Sequence, residues 1–245
     1  MDTSVSALST TRATALPSPR LVIVEEHAAV ADVLEASLWG HFRVRSVIRS
    51  GQTSVAAIAA ATRAARPDVA LVASRPGPLL DDETVIARLR ADGVPVIVLT
   101  SATLDDDPVH WGRCLLAGAS SVMSKCVDLA DLHEALDRVL SGRSALCPVL
   151  AQQLRDAAVR AAEDERWVAR DRLGLLSLRE RMILAKLIFG RSPAEIARED
   201  VVSEATVRSQ IKSILAKLAV SSQLGAVAVA RRAGWSITAD EPIAS

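Results

Sequence analysis

Three observations in this 245-residue sequence predict an α/β fold followed by an all-α unit of four helices. Between residues 21 and 142, short apolar runs alternate five times with segments of helical spacing. The runs are continuously apolar, as strands of a parallel sheet covered on both faces must be. Beyond residue 150 the strand signals stop, and helix-forming segments follow one another behind Ser-x-x-Glu starts. The first part is therefore expected to be a doubly wound, five-stranded parallel sheet with helices on both faces.

Each element has its own signal. LVIVE, 21–25, reads as a buried strand, and 29–39 as a helix with Val30, Leu34 and Leu38 on one side. FRVRSVI, 42–48, is the second strand. Residues 54–65 form a helix of small side chains that Pro67 ends. DVALVA, 68–73, is the third strand, followed by an RPGP turn at 75–78 and a helix at 83–91. PVIVLTS, 95–101, is a central strand; 108–118 is a helix closed by Gly118; 120–124 is the last strand. The helix at 129–142 carries Leu129, Leu132, Leu136 and Leu140 in a near-heptad stripe, which suits either the core or a second copy of the chain.

Residues 151–173 lack Pro and Gly and are rich in Ala, Arg, Glu and Asp, which predicts a long helix. Its apolar stripe is expected to be Leu154, Ala158, Ala161 or Ala162, and Val168; the place of Trp167 is left open. Ser177 with Glu180 starts the next helix, and Met182, Ile183, Leu187 and Ile188 recur at helical spacing until Gly190. Ser192, Pro193 and Glu195 start another. Ser203 caps a helix over about 204–218 with Ala205, Ile211, Leu215 and Leu218 inward, and a last helix runs from Gln223 to about Ala233.

Composition narrows the function. Half the residues are hydrophobic and 24% charged, which is globular, and the formal net charge is zero, which excludes a uniformly basic coat for nucleic acid. The charge is unevenly placed: residues 1–150 carry a net −3, and residues 177–235 a net +5. A small basic module on a neutral chain is what a DNA-reading head needs. No apolar run reaches the length of a membrane span. Residues 1–19 lack the apolar core of a signal peptide, and Cys114, Cys126 and Cys147 show no metal spacing, so reduced thiols in a cytoplasmic protein are expected. The expected boundaries are a disordered tail over 1–19, the sheet domain over 20–143, a helical linker over 144–174, the basic domain over 175–236 and a C-terminal tail over 237–245.

In an open parallel sheet the functional cleft lies at the carboxyl ends of the strands. Those ends hold Glu25 and Glu26, Ala73 and Ser74, Thr100 and Ser101, and Lys125. With the PDV start of the third strand, the Pro76–Gly77 turn, PVIVLTS and GASSVMSK, the segment over about 20–142 resembles the receiver domain of bacterial response regulators. That resemblance implies a divalent cation held by the acidic pair and an Asp at the end of the third strand. The Asp accepts a phosphoryl group, which the Thr and Lys contact. Here Ala73 takes the place of that Asp, the loop to Pro76 is one residue short, and Val122 replaces the aromatic switch residue. Ser74 cannot form an acyl phosphate, and Asp68 stands at the far end of its strand, about 17 Å away at ~3.3 Å per residue. Glu25 and Glu26 without a third carboxylate suit Mg²⁺ poorly. The expectation is a degenerate receiver with no cofactor, in which Lys125 pairs with the acids.

In the basic unit, a short helix, a turn and a capped helix bearing Arg208, Lys212 and Lys217 predict a helix-turn-helix. LSLRERMIL, GRSPAEIA and SEATVRSQIKSILAKLAV resemble the LuxR/NarL-type DNA-binding domain in order and over its full length. The resemblance implies that the third helix enters the major groove and the fourth makes a dimer contact. It places Thr206, Val207, Arg208 and Gln210 near the start of the recognition helix, with Lys212 and Lys217 on or beside phosphates. Two positions depart from the pattern. Asp200 stands where a buried Leu is usual, so Val201 or Val202 is expected to take the apolar role. Gln223 replaces a usual Arg.

Together these features predict a sequence-specific regulator of transcription that binds double-stranded promoter DNA as a homodimer. A small molecule or protein acting on the receiver-like unit would replace phosphorylation, and no membrane is involved. Alternatives are an interaction adaptor that has lost DNA binding, or a regulator whose cleft binds a small molecule. An enzyme is disfavoured, because His27 has no visible Ser or Cys partner. Two dimer surfaces are expected: the 129–140 stripe, and Val227, Val229 and Ala230 of the last helix.

Overall fold

The computed structural model describes residues 18–48, 54–74 and 82–235. The Pro76–Gly77 turn, the shortened loop before it and almost all of the two expected tails lie outside the described residues. The chain divides into two compact units, Met1–Ala158 and Val159–Ser245.

The first unit is the expected doubly wound sheet. Its elements are β1 (Arg20–Glu25), α1 (Ala28–Leu38), β2 (Arg43–Ile48), α2 (Val55–Ala65), β3 (Val69–Ser74), α3 (Asp82–Ala91), β4 (Val96–Thr100), α4 (Pro108–Leu116), β5 (Ser121–Ser124) and α5 (Leu129–Leu140). The strands are all parallel, in the order β2-β1-β3-β4-β5. Alternation along the strands divides the core in two. Val22, Val24, Ala70, Val72, Val96 and Val98 pack with Ile58, Val85, Ile86, Leu89 and Trp111 from α2, α3 and α4. On the other side Leu21, Ile23, Val69, Leu71, Ile97 and Leu99 pack with Leu38 of α1 and with Leu132, Leu136 and Val139 of α5. Each fully buried aliphatic side chain stabilises the fold by about 1.5–3 kcal/mol. Burying both faces explains why the strands read as continuous apolar runs.

The leucine stripe of α5 is mainly a core feature. Leu132 and Leu136 are buried, Leu140 is half-buried, and only Leu129 at the helix start is exposed. Ser54 caps α2 by accepting from the Ala57 amide, and Asp107 caps α4 by accepting from the His110 amide, with Pro108 at the first helical position.

The long helix α6 (Pro148–Gly174) starts three residues before the expected 151, at a proline that suits a first turn. In the first unit Ala151, Leu154 and Ala158 are its buried positions. Gly112 of α4 lies against them so closely that a Cβ there would sit 2.0 Å from the Leu154 carbonyl oxygen. In the second unit α6 buries Ala169 and Leu173; Val168, expected inward, is half exposed. Trp167 is 64% exposed, with the Arg170 guanidinium 5.8 Å from its ring centre.

The second unit adds α7 (Leu178–Ile188), α8 (Pro193–Glu199), α9 (Glu204–Lys217) and α10 (Gln223–Arg232). Both Ser-x-x-Glu starts are reciprocal capping boxes: Ser177 with Glu180, and Ser192 with Glu195. Gly190, at φ +79°, ends α7. The core is built from Ile183, Leu184, Leu187, Ile196, Val207, Ile211, Ile214, Leu218, Ala226, Val229 and Ala230. Several expected facings are corrected. Met182 is partly exposed and Leu184 takes its inward place. Ala205 is exposed, with Val207 inward instead. Val229 and Ala230 are core residues and offer no dimer surface, whereas Leu224 of the same helix is 79% exposed.

Candidate functional site

At the carboxyl end of the sheet, β1 and β3 run in register with Val24 opposite Val72, so Glu25 ends beside Ala73. Glu25 is buried, and both of its oxygens are used. Oε1 accepts from the Glu26 amide at 2.8 Å and the His27 amide at 3.0 Å, with the His27 ring Nδ1 at 3.1 Å. Oε2 accepts from Lys125 Nζ at 2.8 Å. Burial alone would raise the Glu25 pKa. The Lys125 ammonium and the donors of His27 outweigh it and hold the carboxyl at about 2. Thr100 is fully buried, and its hydroxyl accepts from the Ala102 amide at 3.2 Å. The structure thus brings Glu25, Ala73, Thr100 and Lys125 to one end of the sheet, with Lys125 closing on Glu25. Glu26 lies at the rim, its carboxylate 3.8 Å from His27 Nε2.

The divalent cation implied by a receiver does not fit this donor set. Ala73 supplies no side-chain carboxylate, and Glu25 is committed to Lys125 and to its own loop. Among the described residues, no group of three or more His, Cys, Asp or Glu side chains is placed to hold a metal.

Ser74, next to Ala73, belongs to a cluster the sequence did not reveal. Its buried hydroxyl donates to Asp82 Oδ2 at 2.7 Å and lies 2.8 Å from His110 Nε2. With the hydroxyl proton directed to Asp82, the imidazole Nε2–H is the donor to Ser74. Cys114 Sγ, one helical turn along α4, lies 3.8 Å from the same nitrogen, and burial pushes its thiol up to about 12. The carboxylate touches the serine and not the second ring nitrogen, and the serine is out of reach of solvent. This is therefore a packing cluster joining β3, α3 and α4, without the order of a nucleophile, base and orienting acid. Its members are 8 and 36 residues from Ser74, beyond the reach of local periodicity.

In the second unit, Ser203 caps α9 by accepting from the Thr206 amide at 3.1 Å, and its hydroxyl also meets the Thr206 hydroxyl at 2.8 Å. Val207, Ile211, Ile214 and Leu218 fix the inward side of α9. Val207, expected to face DNA, is fully buried and leaves the candidate set: at this phase of the helix an apolar side chain joins the core. Glu204, Ala205, Thr206, Arg208, Ser209 and Lys212 are exposed. The periodicity that turns Val207 inward turns Ser209 outward; Glu204 shares the phase of Val207 and Ile211 and is exposed because it opens the helix. Gln210 is half-buried, and its side-chain oxygen is enclosed without a partner among the described residues.

Lys217, expected to contact or flank phosphate, is committed to the fold. Its Nζ lies 2.7 Å from Glu180 Oε2, while Ser213 donates to Oε1 at 2.7 Å. Burial would raise the Glu180 pKa; Lys217, Ser213 and the Ser177 amide bring it down to about 2. Asp200, in the turn before α9, is also paired. Lys186 of α7 donates to Oδ1, and Arg179 approaches Oδ2 at 3.2 Å. Burial opposes the charge on Lys186, but Asp200 and Glu199 outweigh it and raise its pKa. The unusual carboxylate is thus neutralised across the turn. Val202 packs on the core, while Val201 is 90% exposed at φ +55°. Of the two valines, Val202 takes the apolar role. Gln223 is exposed at the first position of α10.

Comparison with known proteins fits this division. The sequence pattern of the luxR family of bacterial regulatory proteins matches residues 174–230. The Mycobacterium tuberculosis protein named "Probable transcriptional regulatory protein NarL" is 30% identical over 220 residues, covering 87% of this chain and 94% of the relative. The DNA-binding transcriptional activator DevR/DosR of Mycobacterium tuberculosis is 30% identical over 216 residues, covering 86% and 93%. The crystal structure of response regulator ChrA from a heme-sensing two-component system is 25% identical, covering 90% of this chain and 100% of that one, with a TM-score of 0.41. The family and fold are those of DNA-binding transcription factors and not of enzymes. With near-complete coverage of a NarL relative and the luxR pattern on the four-helix unit, the chain belongs to the luxR family of bacterial regulatory proteins, in its response-regulator form of a receiver-like sheet followed by a helix-turn-helix.

Proposed function

We propose that this protein is a sequence-specific transcriptional regulator that reads double-stranded promoter DNA as a homodimer, in the cytoplasm, and is not switched by conventional aspartyl phosphorylation. The observation that carries the DNA reading is the outward side of α9. Thr206, Arg208 and Lys212 follow the Ser203 cap on it, with Gln210 half-buried beside them, and Arg208 and Lys212 are exposed cations at a spacing of one helical turn. In this role Arg208 reaches a base edge and Lys212 a phosphate. The dimer is supported by the chemistry of short half-sites, since two linked reading heads add their contacts on one duplex through high effective concentration. The named DNA-binding activity of the DevR/DosR relative accords with the same reading.

Independence from phosphorylation rests on Ala73 beside a Glu25–Lys125 ion pair that is already complete. An effector of another kind, a small molecule or a protein, would then act on the first unit. The test has two arms. Titration of the full chain onto promoter fragments should give complexes whose affinity falls steeply with salt. Treatment with Mg²⁺ and acetyl phosphate should leave the mass unchanged and the affinity unmoved. Absence of any salt-sensitive complex would end the DNA reading; a stoichiometric, hydroxylamine-labile phosphoryl group would end the phosphorylation-independent one.

A further inference from the structure

The exposed arginine at the head of α9 does not stand alone. Glu204, the first residue of the helix, reaches one turn forward, and its Oε1 accepts from both Arg208 Nε at 3.0 Å and Nη2 at 2.5 Å. Both side chains are well exposed, 44% for Glu204 and 68% for Arg208. The Val207, Ile211 and Ile214 side chains of the same helix turn into the core, while the Glu204 and Arg208 side chains stay in solvent. A first-turn acid and an i,i+4 acid-to-base order are ordinary, weakly stabilising helix features. The geometry of the contact adds something those features do not require.

A guanidinium has five N–H groups, and two alternative forks can meet a pair of acceptors. Glu204 occupies the side-on fork, Nε with Nη2. This leaves the end-on fork, Nη1 with the outer hydrogen of Nη2, directed away from the carboxylate. Two parallel donors on one end-on fork match the O6 and N7 acceptors of guanine. Glu204 Oε2 has no partner among the described residues, and in a major groove the base-edge donor complementary to a carboxylate is the cytosine amine. A carboxylate at the tip of a reading helix also weakens attraction to phosphates in general, so it favours sites with a matching donor over DNA of any sequence.

We propose that Glu204 is a specificity-determining positioning residue: it holds the Arg208 guanidinium side-on, so that the free end-on fork selects guanine, and it penalises binding to unmatched DNA. The inference rests on the proposed function, in which α9 reads base edges through Arg208. It concerns a residue that the sequence pattern presented only as the start of a helix.

The experiment selects binding sites from randomised DNA with the full chain, comparing wild type with Glu204→Gln, Glu204→Ala and Arg208→Ala. Thermal melting of each variant shows that the fold is kept. Wild type should enrich a guanine at one position of each half-site, and Arg208→Ala should lose it. Glu204→Ala should reduce the preference for that guanine by at least about fivefold while binding mixed-sequence DNA more tightly than wild type. Glu204→Gln, which keeps an acceptor but no charge, should retain more of the preference than Glu204→Ala. If wild type enriches a motif and both Glu204 variants enrich the same one with the same strength, Glu204 is only a solvated helix start and the proposal is overturned, while the DNA-reading function stands. If wild type enriches no sequence, both fall together.

Discussion

Replacing Lys125 by Met should destabilise the first unit at neutral pH and flatten its acid response. The substitution keeps an apolar stem of similar length and removes the ammonium that Glu25 Oε2 meets at 2.8 Å. Glu25 is 2% exposed, so water cannot replace the lost partner. Its pKa falls from 4.5 to about 2 in the folded protein, and at about 1.4 kcal/mol per unit the folded environment favours the carboxylate by roughly 3 kcal/mol. Lys125 shares that effect with the His27 donors and is itself 24% exposed, which puts its own part at about 2 kcal/mol. The sign follows from linkage: a lowered folded pKa stabilises fully above the unfolded value of 4.5, and the stabilisation is lost as pH falls towards 2. Urea unfolding, followed by far-ultraviolet circular dichroism at neutral pH and near pH 3, measures both effects. The variant should lose about 2 kcal/mol at neutral pH and show a smaller further loss in acid. Adding Glu25→Gln to the variant should recover part of the loss, since no buried charge then remains. A variant within about 0.5 kcal/mol of wild type at neutral pH, or with an unchanged acid limb, refutes the ion-pair argument.

Other outcomes are fixed by single contacts. Gly112→Ala should gain about 1 kcal/mol of helix propensity and still lower the melting temperature, because its Cβ would lie 2.0 Å from the Leu154 carbonyl oxygen and α6 must shift; a stabilised variant would contradict that packing. Val201→Gly should stabilise by roughly 0.5–1 kcal/mol, since a β-branched residue at φ +55° is strained and its 90% exposure leaves little packing to lose; thermal unfolding decides it. Arg208→Ala should cost about 1–3 kcal/mol on specific DNA and less on mixed DNA, whereas Lys212→Ala should weaken both alike and reduce the salt slope by about one. Equal behaviour of the two variants in filter-binding titrations would show that neither reads a base.

What was legible in the sequence was local or periodic. β1, β3 and β4 could be read because burial on both faces makes every residue apolar, and both capping boxes could be read because their partners stand three residues apart. The stripe on α5 was visible, but its facing was not: a leucine row looks the same against a sheet as against a partner helix. A family pattern taken by position alone puts Val207 at the DNA, whereas the phase set by Ile211, Ile214 and Leu218 turns it inward. Asp200 looked like an unpaired carboxylate because its cations, Lys186 and Arg179, lie on α7, fourteen and twenty-one residues upstream. The Ser74–Asp82–His110 cluster joins three elements and has no spacing signature. Charge balance across a tertiary contact is invisible to periodicity, and the pairing of Asp200 and of Lys217 is of that kind.

Ala73→Asp tests whether the altered pocket is a lapsed phosphorylation site or a charge-balanced structure in its own right. The register of β1 and β3 sets position 73 beside Glu25. A carboxylate introduced there would face a buried anion whose cation, Lys125, is already bound to it at 2.8 Å. Two like charges about 5 Å apart at an effective dielectric constant near 20 repel by about 3 kcal/mol, and partial solvation at the strand ends lowers the net cost to about 1–2 kcal/mol. The introduced carboxyl therefore has its pKa raised in the folded state. Its destabilisation is full at neutral pH and fades as pH falls below the folded value, opposite in direction to the response of Glu25 itself. In a Glu25→Gln background the repulsion should largely vanish, so a double-mutant cycle on urea unfolding isolates it. The carboxylate alone should not create phosphorylation-dependent switching, because Val122, buried in β5, offers no aromatic side chain to move. If Ala73→Asp were neutral or stabilising at neutral pH without added cation, the pocket would have kept room for a third charge, and the Glu25–Lys125 pair would not be the feature that closes it.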